Sequence, residues 1–517
     1  APVVERYYLD EVTTKLGYNT PYDHTTYRDT ITVNGARAMR TELGRWTSIE
    51  KKKGNYDFSG ATNSYMNKVE DMGIEITTIA GMNNPLYMDS GTGNGPDSKT
   101  NIDGFAKYAA AIAKQFPNIR FSEIWNEPNI SFWINPNPID YAYAAEVSKY
   151  ETEQFNPDTY IMVGSVANGD SKFINNFLAQ GIWANVDSIS YHPYTRPSTV
   201  DQAMKVHVKG CHDTIIEYGG WKVPVCSEIG WPSNNIGIGI TEEQQAIEYA
   251  KVYIFETSYG VPKTIIHNTF DTSFDQTSST EDHYGIVYPD WTTKPSFFST
   301  REVNNQTNGA VHVGKVFFDD NPDIQMHLYA RDNKIHAAVW TKGEPTSVDF
   351  GETVSAYDMI GNLKAVSNKI EIGEEITYIH GLDRNWFIKG YADSMKEFYD
   401  DNIDVLGDCI DKKGFSKACA LLLSAVDKAN ELKSIPNEED ALALLREHYG
   451  LGRQIIDMYK NGELDIPFER FTGLLYINQL MAEKTVNLYM LSADSEVSGM
   501  NSEKAVNDVE NFINQKR

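Results

Sequence analysis

Phe121-Ser122-Glu123-Ile124-Trp125-Asn126-Glu127-Pro128-Asn129 is the stretch that decides the fold. Asn118 to Phe121 reads as the start of a short strand. Pro128 cannot continue a hydrogen-bonded ladder, so the strand is expected to end at Glu127. A carboxylate at the last position of a strand, opening into a loop, is where a parallel α/β barrel keeps its catalytic groups. A second stretch has the same form: Val223-Pro224-Val225-Cys226-Ser227-Glu228 runs into a carboxylate and is stopped by Gly230 and Pro232. Two Glu residues at the ends of different strands suit glycoside hydrolysis, in which one protonates the leaving oxygen and the other attacks the sugar or activates water.

Working outward, 517 residues are too many for one ordinary core, so two or three domains are expected. A net charge of −26 argues against nucleic acid and anionic membrane surfaces as partners. No apolar run approaches the roughly 20 residues of a membrane span. The cysteines, Cys211, Cys226, Cys409 and Cys419, are too scattered for a disulfide framework or a metal-ligand spacing, and Cys409 and Cys419 are expected as buried thiols. Neither cofactor nor metal is implied. The chain starts Ala-Pro without Met, which is read as a secreted or cell-surface protein whose signal peptide has been removed.

Val3 to Asp10 reads as a short run that pairs with a later sheet. Strand-like and helix-like segments then alternate to about Asn305: Leu16 to Pro21, a helix through Thr32, Ala36 to Glu42 with Arg40, Ile74 to Ile79, a helix over Asp103 to Gln115, the Glu127 strand, Tyr160 to Ser165, Val186 to Tyr194, the Glu228 strand, and Lys263 to Asp271. Asn137-Pro138 and Thr241-Glu242-Glu243-Gln244 are helix starts. From Val311 to Phe387 short alternating runs, Gly314 to Phe318, Ile324 to Tyr329, Lys334 to Trp340, Ser347 to Phe350, Val354 to Tyr357 and Ile376 to Ile379, separated by turns such as Arg331-Asp332-Asn333 and Ile360-Gly361-Asn362, imply a small antiparallel β-domain. From Ser394 apolar residues recur at helical spacing in Phe415 to Leu432, Ala441 to Tyr459 and Phe468 to Leu491, with Asn437 as an N-cap, implying a bundle of four or five helices. The expected architecture is therefore α/β: a (β/α)8 TIM barrel over 1–305, an antiparallel β-sandwich domain over 306–392 and an α-helical domain over 393–517.

Asn126-Glu127-Pro128 and Ser227-Glu228 together resemble the strand-four and strand-seven signatures of the clan of retaining (β/α)8 glycoside hydrolases, with families 39 and 5 the nearest. The resemblance implies Glu127 as acid/base and Glu228 as nucleophile, in a double displacement that needs no cofactor. It implies that Arg40 hydrogen-bonds the nucleophile, where a cation keeps a carboxylate ionised. It also implies that Asn126 binds the sugar 2-hydroxyl, and that His192 and Tyr194 contact the nucleophile or the sugar. Asn83 and Tyr87, on the loop after the third strand, suit sugar hydroxyls. Trp133 and Trp231 are expected as sugar platforms, and Trp46 either stacks on sugar or packs its loop. Many clan members end strand eight with a Trp; here Phe270, Asp271 and Trp291 stand nearby. The function implied is a secreted β-glycoside hydrolase acting on an oligo- or polysaccharide, endo-acting because aromatics are spread over several loops. An exo-acting β-glycosidase and a non-catalytic carbohydrate-binding barrel are the alternatives. The β-domain is read as bracing the barrel, and the helices as a self-contained unit for surface attachment or dimer contact.

Overall fold

The computed structural model describes residues 15–19, 25–59, 73–87, 95–96, 98–133, 136–181, 186–218, 222–331, 334–434 and 436–492. Val3 to Asp10, Thr20, Pro21, Asp332 and Asn333 lie outside the described residues.

Eight strands close a parallel barrel in sequential order: β1 Lys15–Asn19, β2 Ala38–Thr41, β3 Glu75–Ala80, β4 Phe121–Ile124, β5 Tyr160–Ala167, β6 Ser188–His192, β7 Val223–Ile229 and β8 Lys263–Ile266. The strands are short and buried on both faces, as a barrel between its own core and a ring of helices requires. Around them lie α1 Thr25–Asn34, α2 Lys99–Gln115, α3 Pro138–Glu153, α4 Ser171–Leu178, α5 Lys205–Glu217, α6 Glu242–Ser258 and α7 Pro295–Thr307. The expected helix starts hold. Asn137 accepts from Ile139 N and Thr241 from Gln244 N, each capping backbone donors the helix leaves unpaired.

The second part is a six-stranded antiparallel sheet in the order β13-β12-β14-β11-β10-β9. Its strands are β9 Val311–Val316, β10 Ile324–Arg331, β11 Lys334–Thr341, β12 Thr346–Tyr357, β13 Leu363–Ile372 and β14 Thr377–Leu382. Two runs that the sequence separates, Ser347 to Phe350 and Val354 to Tyr357, are one strand, β12, whose pairing with β13 shifts between Asp349 and Val354. β13 is an edge strand with mostly solvent-facing residues, and so lacks the apolar alternation that marks a half-buried strand.

The helices are α8 Arg384–Ile403, α9 Phe415–Glu431, α10 Glu438–Lys460 and α11 Phe468–Ser492. α8 starts at Arg384 rather than Ser394 because Asp383 caps it, accepting from the backbone N–H groups of Asn385 and Trp386. The expected boundary at 392–393 therefore falls inside a helix. α8 lies tightly on the sheet: a Cβ on Gly314 would stand 2.2 Å from Gly390 O. α11 lies as tightly on the barrel. A Cβ on Gly473 would stand 2.3 Å from Ile216 O, and Arg470 donates to Glu217 O at 2.6 Å. The helices thus share a continuous core with the barrel and sheet instead of standing apart from them.

Gly473→Val should force α11 away from α5 and destabilise the chain by about 1–3 kcal/mol. Urea denaturation reads the loss, and kcat per folded molecule should be unaltered; an unchanged midpoint would mean that α11 is not docked on α5.

Candidate active site

β4 ends at Ile124, three residues before Glu127, because Trp125 and Glu127 leave the extended region at φ 68° and 48°. The expectation that the ladder runs to Glu127 is corrected by this turn, and Pro128 only confirms a break already made. Trp125 N donates to Ala80 O at 2.9 Å, and Glu127 N to Ser165 O at 3.1 Å. Ser165 is available because β5 carries a bulge: its register with β6 jumps between Val163 and Val166, and Gly164 and Ser165 have φ of 113° and 40°. Only glycine fits at 164, where a Cβ would stand 2.2 Å from Ser190 O. Asn129 ties the loop down, donating to Ala167 O at 3.2 Å and accepting from Ala167 N at 2.9 Å. Non-glycine residues in the left-handed region persist where surrounding bonds over-determine them, and this one aims a carboxylate.

Glu228 lies within β7, where the register with β8 also jumps, between Cys226 and Ile229. Its side chain and that of Glu127 keep 15% and 13% exposure, against 2% for Arg40. One carboxylate oxygen of each Glu and a ring nitrogen of His192 lie within 4.8 Å of one another.

Arg40 binds this assembly from below. Its Nε donates to Glu123 Oε2 at 2.6 Å, Nη1 to Glu228 Oε2 at 2.9 Å and to Asn19 Oδ1 at 3.3 Å, and Nη2 to Asn126 Oδ1 at 2.8 Å. Tyr194 OH donates to Glu228 Oε1 at 2.7 Å. His192 Nδ1 lies 3.0 Å from Glu127 Oε1, and its Nε2 lies 3.1 Å from Ser227 Oγ. Burial pushes the Glu228 carboxyl up, but the fields of His192, His267 and Arg40, with the Tyr194 hydroxyl, outweigh it and hold it well below the usual carboxylate range. Burial first, then the Glu228 charge, push the Tyr194 phenol well above its usual value, so it stays a donor. Glu127, His192 and Glu228 are close enough to share a cation, but both oxygens of Glu228 already accept hydrogen bonds and the Arg40 charge stands beside them, which opposes a metal ion there.

Arg40, Asn126, Glu127, His192, Tyr194 and Glu228 are thus brought together. Several expected sugar platforms are corrected by burial. Trp46 is fully buried, stacked between Tyr87 and Tyr108 at 4.8 and 5.6 Å, with Nε1 donating to Glu50, so of its two readings the structure supports loop packing. Trp133 packs edge-on against Trp125 and Tyr141 and is 1% exposed. Trp231 is fully buried and donates to Ser198 O at 2.9 Å. None offers a free ring face. Asp271 is buried behind the loop, accepting from Lys294 Nζ and Gly285 N. Tyr87 donates to Glu50 as part of the same packing. Asn83 remains half-buried on the loop after β3, and Trp291 remains half-buried against Phe270 at 4.6 Å.

Residues not singled out from the sequence complete the site. Glu123 is fully buried, accepting from Arg40 and from Ser190 Oγ at 2.8 Å. A carboxylate inside an apolar strand needs a buried cation, and that need was a readable signal. Ser227 and Asn19 orient His192 and Arg40. His267 directly follows β8, its backbone N–H donating to Ile229 O at 2.8 Å, beside the end of β7 that carries Glu228.

No family model matches the chain, and no curated protein matches it. Solved structures do. A family 39 glycoside hydrolase from the gut symbiont Bacteroides cellulosilyticus superposes with a TM-score of 0.62 at 18% identity, over 71% of this chain and 80% of that one. A β-xylosidase from Caulobacter crescentus gives 0.51 at 13%, over 72% and 96%. A family 30 endoxylanase from Clostridium papyrosolvens gives 0.52 at 12%, over 72% and 98%. At these identities what is shared is the fold.

Tyr194→Phe removes a donor that favours the ionised Glu228. The acid limb of the pH–rate profile should therefore move to higher pH, with kcat/KM at neutral pH lower by about 10- to 100-fold. An unmoved acid limb would remove Tyr194 from the control of Glu228.

Proposed function

We propose that this chain is a retaining β-glycoside hydrolase. The single observation that carries the reading is the approach of one carboxylate oxygen of Glu127 to one of Glu228 within 4.8 Å, with a cation and a phenol on Glu228 and an imidazole on Glu127. Retaining pairs stand roughly 5–5.5 Å apart, whereas inverting pairs leave roughly 6.5–9.5 Å for a water. Fold similarity to glycoside hydrolases of families 39 and 30 supports the same reading.

In this mechanism Glu228, kept ionised by Arg40 and Tyr194, attacks the anomeric carbon. Glu127 gives its proton to the departing oxygen, and a glycosyl ester forms on Glu228. Glu127, now a carboxylate held by His192, takes a proton from water, which attacks the ester carbon and frees the sugar with its original configuration. Asn126, fixed by Arg40, presents its amide to the sugar.

The proposal extends to endo action on a polysaccharide. Burial of Trp46, Trp133 and Trp231 removes part of the ground for several subsites. Trp291 on Phe270, and exposed Phe274 stacked on Tyr288 at 6.1 Å, supply aromatic surface on the loop after β8 in their place. Secretion belongs to the proposal too, and so does a role for α8 to α11 in attachment or dimer contact. Light scattering of the full chain reads dimerisation; a monomer would leave attachment as that role.

Glu228→Ala should abolish turnover and be rescued by azide with inversion, while Glu127→Ala should hurt substrates with poor leaving groups most. Proton NMR of the first-formed anomer should show retention; an inverted product would sink the two-step route. Product profiling decides mode: release of monosaccharide alone from the first minutes would replace endo with exo action.

A further inference from the structure

The wall beside Glu228, between the loops after β6 and β8, holds cations where a stacking indole is absent. Arg196, on the loop after β6, lies flat over the Tyr194 ring, its guanidinium carbon 3.9 Å from the centroid and 5.4 Å from that of Tyr284. One of its Nη atoms donates to Tyr284 OH. Thr195 Oγ1 and Trp231 Nε1 both donate to Ser198 O, at 2.9 Å each, which fixes the turn that carries Arg196. No other hydrogen bond among the described residues engages the guanidinium, so one edge of a half-exposed, pre-set fork has unused donors.

His267 stands against the same Tyr284 ring as Arg196, and its field is among those that act on Glu228. Its ring packs at 5.1 Å on Tyr284, is 22% exposed, and meets the Glu281 carboxylate only at 3.8 Å. Glu281 is itself 68% exposed, and the contact with His267 and the fields of His267 and Arg196 hold its carboxyl below the usual range, so an incoming carboxylate takes over the same contacts. A planar guanidinium held on an aromatic face, with an imidazole on the Tyr284 ring it shares, matches a planar anion. A carboxylate takes charge-assisted bonds from both, whereas the hydroxyls of a neutral sugar accept only the weaker bonds of an uncharged acceptor.

Resting on the reading of the site as a glycoside hydrolase, we propose that the subsite beside Glu228 takes a sugar carrying a carboxylate, a uronic acid unit, with Arg196 as the bidentate anchor and His267 as the second contact. The carboxylate displaces Glu281 from His267. The substrate class is then an acidic glycan, and Arg196 and His267 are its specificity-determining residues.

Two measurements on the full chain test this. The first compares kcat/KM on p-nitrophenyl β-glucuronide and β-glucoside. The uronide should be preferred by about 10- to 100-fold, the range a charge-assisted pair gives. Arg196→Met should collapse that ratio, and Arg196→Lys, which keeps the charge but loses the fork, should restore only part of it. The second is calorimetric binding of D-glucuronate against D-glucose, with glucuronate tighter in the wild type and weakened by Arg196→Met. If the glucoside is hydrolysed as well as the uronide and glucuronate binds no better than glucose, the inference falls and the hydrolase reading stands. If neither glycoside is hydrolysed, the hydrolase reading is what suffers. The binding comparison then decides the inference alone, equal binding overturning it.

Discussion

The Arg40 guanidinium is the constraint on which the rest of the site depends. It is buried at the barrel mouth on β2 and joins residues from three other strands or their ends: Asn19 from β1, Glu123 and Asn126 from β4 and the turn after it, and Glu228 from β7. Alone, either Arg40 or Glu123 would be a buried charge, and removing one partner of such a pair costs about 3–5 kcal/mol. Together they set the height of Glu228 and the rotamer of Asn126. The guanidinium therefore does structural and electrostatic work at once. It closes the barrel mouth, and it leaves the carboxylate beside it ionised.

Backbone irregularity supplies the other half of the geometry. A regular strand alternates its side chains between the barrel interior and the surrounding helices. The bulges in β5 and β7 break that alternation. The β5 bulge turns Ser165 O toward Glu127 N, which holds the left-handed turn at Trp125 and Glu127, and the β7 register shift surrounds Glu228. Gly164 and Gly230 permit both, since a Cβ at either would stand 2.2 Å and 2.1 Å from a carbonyl oxygen of the next strand.

These causes explain how far the sequence could be read. Strands that end in a carboxylate followed by proline or glycine are local signals, so Glu127, Glu228 and the barrel alternation were legible, and the helix caps at Asn137, Thr241 and Asn437 were too. The indoles were not. A tryptophan on a catalytic-face loop looks the same in sequence whether it faces sugar or fills the loop, and Trp46 is decided by Glu50, Tyr87 and Tyr108, which only the fold gathers. β13 was missed because an exposed edge strand has no apolar period, and the start of α8 because one aspartate, Asp383, sets it.

The burial of Trp231 has a consequence for the cleft. Its indole N–H is directed at Ser198 O, the same carbonyl that Thr195 bonds, so the residue expected to touch sugar instead fixes the loop that places Arg196 on Tyr194. Tyr194 in turn holds Glu228. A chain of contacts thus runs from a packed indole, through a turn and a cation on a ring face, to Glu228. The phenol that carries the Arg196 guanidinium on its ring face also donates to Glu228, so replacing Tyr194 removes the support of the cation and a hydrogen bond to the carboxylate at once.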